Sequence, residues 1–315
     1  MSEVVSDQKN KQQTPTVTVA MPVYNAGNYL RMAVLSIVRQ TETNWELLII
    51  DDGSTDHALD SIRDIIDYRI RIFQDGVNKG LAQRLNEAID LARGQYFARM
   101  DQDDVSYPER FSRQVNALQS DAALDLLATR CIMIDESNQC AGTFPAAVDH
   151  KEICERPWRG FYFPHPTWMG KTEWFRKFHY SVPGPYLCED QELLLRSYHE
   201  SRFATVDEVL FAYRVRKRIN WRKLIKTRKT VMDVQLNHFI KNHQWSYILM
   251  AIMVFVGRVL SDLVKLCVQV FSKKQPSGLS FNLAFNLVRQ WTNVLAVVSD
   301  KQSDQAKPVV KISRT

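Results

Sequence analysis

The chain predicts an α/β fold built on a parallel sheet covered by helices on both faces. Three observations predict it. Short apolar, β-branched runs alternate with stretches of helical periodicity, the spacing suits βαβ units, and the runs end in polar or acidic clusters. Thr16–Met21 is the first strand, ended by Pro22 and Asn25. Asn28–Gln40 then repeats Leu30, Ala33, Val34, Ile37 and Val38 at helical spacing. Trp45–Ile50 is the second strand and stops at Asp51-Asp52-Gly53-Ser54. Ser54 or Thr55 is placed to cap a helix running through Ile62 to Ile65-Ile66. Arg69–Gln74 is a third strand, and Gly80–Ala92 a helix with Gly94 as its stop. Tyr96–Met100 is the fourth strand, ending at Asp101-Gln102-Asp103-Asp104, and Pro108 sits where a first helical turn accepts proline.

Open α/β sheets bind ligands beyond the carboxyl ends of their strands. Three of those ends carry polar clusters: Tyr24-Asn25, Asp51-Asp52 and Asp101 to Asp104. Carboxylates gathered at a sheet mouth repel one another and need a cation or hydrogen-bond donors to stay ionised. Asp101 and Asp103 lie close enough to share a hard divalent ion, Mn2+ or Mg2+, with substrate phosphates, although a D-x-D standing alone also recurs in solvated loops. Such an ion offsets the charge that builds on a diphosphate leaving group.

Composition narrows the class. With 315 residues, 45% apolar and 24% charged, the chain is neither disordered, collagenous nor porin-like. Cys131, Cys140, Cys154, Cys188 and Cys267 are too widely spaced for a CxxC pair, which predicts reduced thiols rather than a disulfide framework or a zinc site. No signal peptide precedes the first strand, so the catalytic part is expected in the cytoplasm.

The motifs resemble glycosyltransferase family 2. Ala20-Met21-Pro22-Val23-Tyr24-Asn25, Ile50-Asp51-Asp52-Gly53-Ser54-Thr55-Asp56, Asn78-Lys79-Gly80-Leu81-Ala82 and Ala98 to Asp104 carry the resemblance. His165-Pro166-Thr167 and Cys188-Glu189-Asp190, followed by Leu193-Leu194-Leu195-Arg196, continue it in the same order. It covers roughly residues 16–216. The family implies a GT-A fold, the Rossmann-like fold of nucleotide-diphospho-sugar transferases, with a divalent metal and inversion at the anomeric carbon. It also implies a nucleotide-sugar donor, by default a UDP-sugar. Residue by residue, Pro22, Tyr24 and Asn25 resemble the wall of the base pocket, and Asp52 the acid that accepts from the nucleobase. Asp101 resembles the acid near ribose and metal, and Asp103 the direct metal ligand. Asp190 resembles the catalytic base. Glu189 and His165 are supporting or acceptor-contacting residues, and Lys79 is assigned to the donor if it reaches the diphosphate. Asp51 also reads as a turn cap, and Trp158, Trp168 and Trp174 as core residues.

One departure stands out. Where many relatives have Tyr-Arg-x-His, this chain reads Tyr213-Arg214-Val215-Arg216. Arginine does not ligate metal but grips a diphosphate in a bidentate way, so Arg216 is expected to clamp the donor.

The net charge of +6 is local. Nine cations and no acid lie between Val209 and Met232, more than the whole excess, so the rest of the chain is mildly acidic. Only Trp221 interleaves this block and no recognition motif accompanies it, so nucleic acid is not an expected partner. After it come eleven uncharged residues, Tyr247–Gly257, and an apolar stretch with one polar line at Arg258, Asp262, Lys265 and Gln269. Leu279–Val298 repeats that design. The expectation is a disordered tail at 1–15, a GT-A catalytic domain at 16–216, a polybasic linker or helix at 217–242, a membrane-associated amphipathic, apolar helical hairpin at 243–299, and a second tail at 300–315. The basic block faces an anionic membrane surface, on the cytoplasmic side of a bacterial inner membrane, in a monotopic rather than a spanning arrangement. The acceptor would be a saccharide or a polyprenyl-diphosphate-linked glycan in surface polysaccharide synthesis. Competing readings are a HAD-type phosphatase, which lacks its acidic pair at the first strand, and a non-catalytic membrane-bound sugar- or nucleotide-binding module, disfavoured by the presence of Asp101, Asp103 and Asp190.

Overall fold

A computed structural model describes residues 14–215, 221–271 and 285–299. The strands are β1 (Val17–Val23), β2 (Trp45–Asp51), β3 (Ile70–Gln74), β4 (Tyr96–Arg99), β5 (Val105–Ser106), β6 (Leu126–Ile134), β7 (Cys140–Thr143), β8 (Met169–Lys171) and β9 (Phe203–Arg214). The α-helices are α1 (Leu30–Val38), α2 (Leu81–Leu91), α3 (Arg110–Ser120), α4 (His150–Cys154), α5 (Thr172–Lys177), α6 (Glu189–Ser197), α7 (Trp221–Lys241), α8 (Trp245–Phe271) and α9 (Phe285–Ser299).

One mixed sheet orders its strands β3-β2-β1-β4-β8-β6-β9-β5, with β7 on β6. Its first four strands are parallel, as expected for βαβ units. β8 enters antiparallel between β4 and β6 and makes the sheet mixed. β2 shows why these strands carry no polar alternation. Leu47 and Ile49 face a core with α1 and α3, while Leu48 and Ile50 face another with α2, α5 and α6. β1 continues through Pro22 because β4 pairs with it only as far as Ala20, so the missing N–H interrupts nothing on that side.

Two local expectations change. In place of a helix from Thr55 to Ile66 there is one short 3-10 turn, Ala58–Ile62. The Asp56 carboxylate accepts from Gly27 N–H and Ala58 N–H, and Ile66 is exposed, so a longer helix would have no second apolar row to bury. Gly94 is a close-approach position rather than a helix stop. α2 ends at Leu91, and a Cβ on Gly94 would lie 2.5 Å from the Thr18 backbone nitrogen. Gly94→Ala should therefore cost at least about 1–3 kcal/mol in a urea unfolding series, the usual penalty for overpacking.

The C-terminal helices bring one apolar helix against the catalytic body. α8 packs on α7 and on the Pro157–Arg159 turn, and α9 on α1. Trp291 of α9 stacks on Tyr107 with ring centres 6.2 Å apart, and its indole N–H donates to the Asn138 carbonyl at 2.8 Å. On α8 the usual arrangement of a surface helix is inverted. Asp262 pairs inward with Arg228 of α7 at 3.1 Å and Arg258 donates to the Arg159 carbonyl at 2.6 Å. Trp245, Leu249, Met253, Val256, Leu260, Leu263 and Val264 face outward. Trp168 and Trp174 lie in the core, and Trp158 packs on Tyr247 of α8. Cys131, Cys140, Cys154 and Cys188 are free thiols.

Candidate functional site

Parallel pairing brings the carboxyl ends of β1, β2 and β4 to one edge, so the three polar clusters become neighbours. Side-chain amides lock the loops together. Gln102, between the two acids, accepts from the Tyr24 N–H at 2.6 Å and donates back to the Tyr24 carbonyl at 3.0 Å. Asn25, with φ at +50°, donates its N–H to Ser54 Oγ and accepts from the Thr55 N–H at 2.9 Å. Tyr24 is half exposed at 49%, so its ring is free to face a flat ligand. Asp51 caps its own turn, accepting from the Ser54 N–H.

Asp52 is buried at the floor of this pocket. It accepts from the Lys79 N–H at 2.7 Å, the Gly80 N–H at 3.0 Å and Arg84 Nε at 2.9 Å. Arg84, itself buried, also pairs with Asp75 at 2.6 Å and Glu87 at 2.8 Å. The Lys79 ammonium is engaged by Asp75 at 2.7 Å and Glu87 at 2.9 Å. Its backbone, rather than its side chain, therefore meets Asp52.

Asp101 and Asp103 sit half-buried beyond β4. They are hard oxygen donors that fit a divalent ion completed by phosphate oxygens. Among the described residues no three His, Cys, Asp or Glu side chains converge to form a closed cage. Asp104 is buried and accepts from the Arg214 N–H at 2.7 Å, while its Oδ2 has no partner. Burial and the charges of Asp101 and Asp103 push its carboxyl well above the usual range. Arg214 holds this acidic loop, donating to the Asp103 carbonyl and the Asp135 carbonyl at 2.7 Å each. Arg216 lies outside the described residues.

Arg99 links this end to the other carboxylate pair. Fully buried, its guanidinium pairs with Asp101 and donates to His165 Nε2 at 2.8 Å. An arginine can only donate, so that ring nitrogen accepts. The Tyr180 hydroxyl lies 2.8 Å from the same nitrogen, and Nδ1 faces Glu189 at 3.8 Å. Burial and the Arg99 charge hold His165 well below its ordinary value, so the ring is neutral.

Glu189 and Asp190 open α6, where the positive end of the helix dipole favours acids. Burial, then the Asp190 charge, raises Glu189 to about 7, and burial raises Asp190. The Asp190 charge is among the causes that raise Glu189, so the two carboxyls titrate as a pair and Glu189 holds its proton toward neutral pH. Replacing Glu189 with Gln should remove any inflection near pH 7 from the kcat profile and leave the acid limb in place. A profile unchanged around pH 7 would refute this assignment.

The sequence motifs alone assign no role to Arg99, Arg84, Gln102, Tyr180 or Gln191. A cation inside the apolar run Tyr96–Met100 was the available signal for Arg99.

Comparison with known proteins follows the same lines. The family described as Glycosyl transferase family 2 matches residues 18–178, half of the chain. EpsE of Bacillus subtilis (strain 168), a glycosyltransferase by its name, is 32% identical over 206 residues, covering 64% of this chain and 73% of EpsE. WfgD of Escherichia coli is 32% identical over 102 residues, 32% of this chain and 40% of its own. Its name makes it a glucosyltransferase from UDP-Glc to GlcNAc-diphosphoundecaprenol. The mannosyltransferase of Pyrobaculum calidifontis, solved with GDP-Man and Mn2+, superposes with a TM-score of 0.54 over 91% of this chain and 86% of that one, at 16% identity. That likeness is of fold.

Proposed function

Because the chain belongs to glycosyl transferase family 2, we propose that this glycosyltransferase is inverting and metal-dependent, and that it moves a sugar from a nucleotide-diphosphate donor to a hydroxyl of a saccharide or lipid-linked acceptor. The observation that supports the reading is the run of side-chain contacts from Asp101 through Arg99 and His165 to Glu189, the chain neighbour of Asp190, which links the proposed donor acids to the proposed base.

Tyr24 and Asn25 flank the base, Asp52 accepts from it, and Asp101 and Asp103 face the diphosphate. A divalent ion held by Asp101 and Asp103 supplies countercharge to the leaving diphosphate. Asp190 takes the proton of the acceptor hydroxyl as that oxygen bonds to the anomeric carbon, opposite the breaking bond to the diphosphate. One base and no protein nucleophile gives inversion, unlike the paired carboxylates of hydrolases. Arg99 keeps Asp101 oriented, and neutral His165 adds no charge beside the acceptor.

The acceptor side meets α7 and α8. The stretch Trp245–Val264 is apolar enough to cross a membrane by length and composition, and only 6% of it is buried, so it is no core helix. Its inner side is tied along its length to the body through Tyr247, Arg258 and Asp262. Crossing a bilayer would drag Arg228 and the exposed cations Arg222, Lys223, Lys226 and Lys229 into hydrocarbon. A helix lying in the interface keeps Arg228 on Asp262 and lets the exposed cations of α7 stay near anionic headgroups, at about 1 kcal/mol for each that reaches them. The reading is therefore a monotopic enzyme at the cytoplasmic face, with acceptors such as polyprenyl-diphosphate glycans presented by the same surface.

The test is product formation from UDP-glucose, UDP-N-acetylglucosamine and GDP-mannose, with and without Mn2+. Loss of transfer on chelation, with recovery on adding Mn2+, is expected, and full activity in chelator would overturn the metal. Release from membranes by carbonate at high pH is expected; retention would mean a spanning helix.

A further inference from the structure

Asp190 is held by its own neighbour in the chain. Gln191 Nε2 donates to Asp190 Oδ2 at 3.1 Å, while Gln191 Oε1 accepts from the Phe161 N–H at 2.8 Å. One amide thus ties the base to the segment that begins at Pro157. Gly160 in that segment has φ at +79°, and a Cβ there would stand 2.8 Å from Gln191 Oε1, so the bare backbone is what seats the amide.

The other side of the same segment is gripped by the C-terminal helices. Buried Gln235 of α7 donates to the Pro157 carbonyl at 2.9 Å. Arg258 of α8 donates to the Arg159 carbonyl at 2.6 Å, and the Trp158 ring packs on Tyr247 of α8 with centres 4.8 Å apart. Three contacts from two helices therefore converge on five residues, 157–161, whose far end holds the amide that holds the base.

We propose that Gln191 is a positioning residue for Asp190 and that α7 and α8 set it through residues 157–161, so that seating of α8 on a lipid surface reaches the base. This rests on Asp190 being the base. With one carboxylate oxygen fixed by the amide, the other is presented to the acceptor hydroxyl. An α8 that shifts against α7 moves the 157–161 turn and, with it, the direction of that oxygen.

Two variants separate positioning from simple anchoring. Gln191→Leu removes all three hydrogen bonds of the amide, the Nε2 donation to the Phe161 carbonyl at 3.4 Å included. Gln191→Glu keeps the shorter anchor bond, accepting from the Phe161 N–H, but no longer donates to Asp190 or to the Phe161 carbonyl. Both should lower kcat about 10- to 100-fold, the usual worth of a hydrogen bond to a charged group, with donor KM within about twofold. The assay is nucleotide release from UDP-glucose, UDP-N-acetylglucosamine and GDP-mannose. Wild-type kcat in Gln191→Glu would reduce Gln191 to an anchor and overturn the proposal.

The coupling is read by hydrogen exchange on the full chain, with and without vesicles of phosphatidylglycerol and phosphatidylcholine. Peptides covering residues 157–163 and the start of α6 should gain protection on vesicle binding, and Arg258→Ala should keep the gain in α8 while losing it in α6. Protection confined to α8 in the wild type overturns the coupling. An active Asp190→Asn would sink the base assignment instead, whereas a normal Asp190 effect beside silent Gln191 variants sinks this inference alone.

Discussion

Asp190→Asn is expected to lower kcat by about 10²- to 10⁴-fold, the contribution typical of a general base, with nucleotide still bound. The substitution keeps shape and keeps an oxygen that accepts from Gln191 Nε2. What it removes is the ability to take a proton as the acceptor oxygen attacks. The proposed nucleotide contacts, Tyr24, Asn25 and Asp52, lie at the β1 and β2 strand ends, so affinity for nucleoside diphosphate by calorimetry should change by no more than about twofold. Losing the Asp190 charge also removes one of the causes, after burial, that lift Glu189 to about 7, so whatever titration persists should fall to lower pH. Activity within tenfold of wild type would place the base elsewhere.

Arg84→Met is the second substitution with a large expected effect, and it acts on stability and donor binding together. The Arg84 side chain is 3% exposed and Asp52 only 7%, at 2.9 Å. Methionine fills similar volume but leaves Asp52 a buried carboxylate with only the Lys79 and Gly80 backbone N–H groups as donors. Breaking one side of a buried pair costs about 3–5 kcal/mol, a large part of the about 5–15 kcal/mol that holds a domain folded. The urea midpoint should fall accordingly, and nucleotide affinity should fall with it if Asp52 accepts from the base as proposed. Arg84 and Lys79 hold the Asp75 carboxyl far below the ordinary range. A lowered carboxyl stabilises the fold above its unfolded value and loses that effect as pH drops. The gap between wild type and variant should thus be full at neutral pH and narrow in acid. A midpoint unchanged at pH 7 would show the network to be dispensable.

The strand ends were legible because each motif is local. Asp51-Asp52 and the Asp101 to Asp104 run sit at the ends of strands buried on both faces, and those runs advertise themselves by unbroken hydrophobicity. β8 was not legible, since Met169–Lys171 is three residues whose strand character comes from β4 and β6 on either side. The same holds within the site. Nothing near Arg84 in the chain announces that its partner is Asp52, 32 residues away, nor near Tyr180 that it reaches His165. The helix expected after Thr55 failed because Asp56 serves the neighbouring Gly27 loop. Apolar periodicity at α8 correctly marked two faces, but only packing decides that the polar one turns inward to Arg228 and Arg159.

The seat of α9 has a consequence in time. Arg39, at the end of α1, donates to the carbonyl of Val297, 258 residues further along. At a synthesis rate of about 5–20 residues per second, that interval lasts about 13–50 s. Within it, once Leu210 and Ala212 have joined Leu35 and Tyr107, the apolar cluster that Trp291, Val294 and Val298 cover stands open on a nascent chain for 79 residues, about 4–16 s at that rate. That apolar cluster, with α1 on one side and β9 on the other, therefore closes last, so a chain released before residue 285 is expected to leave the ribosome with a sticky face on α1.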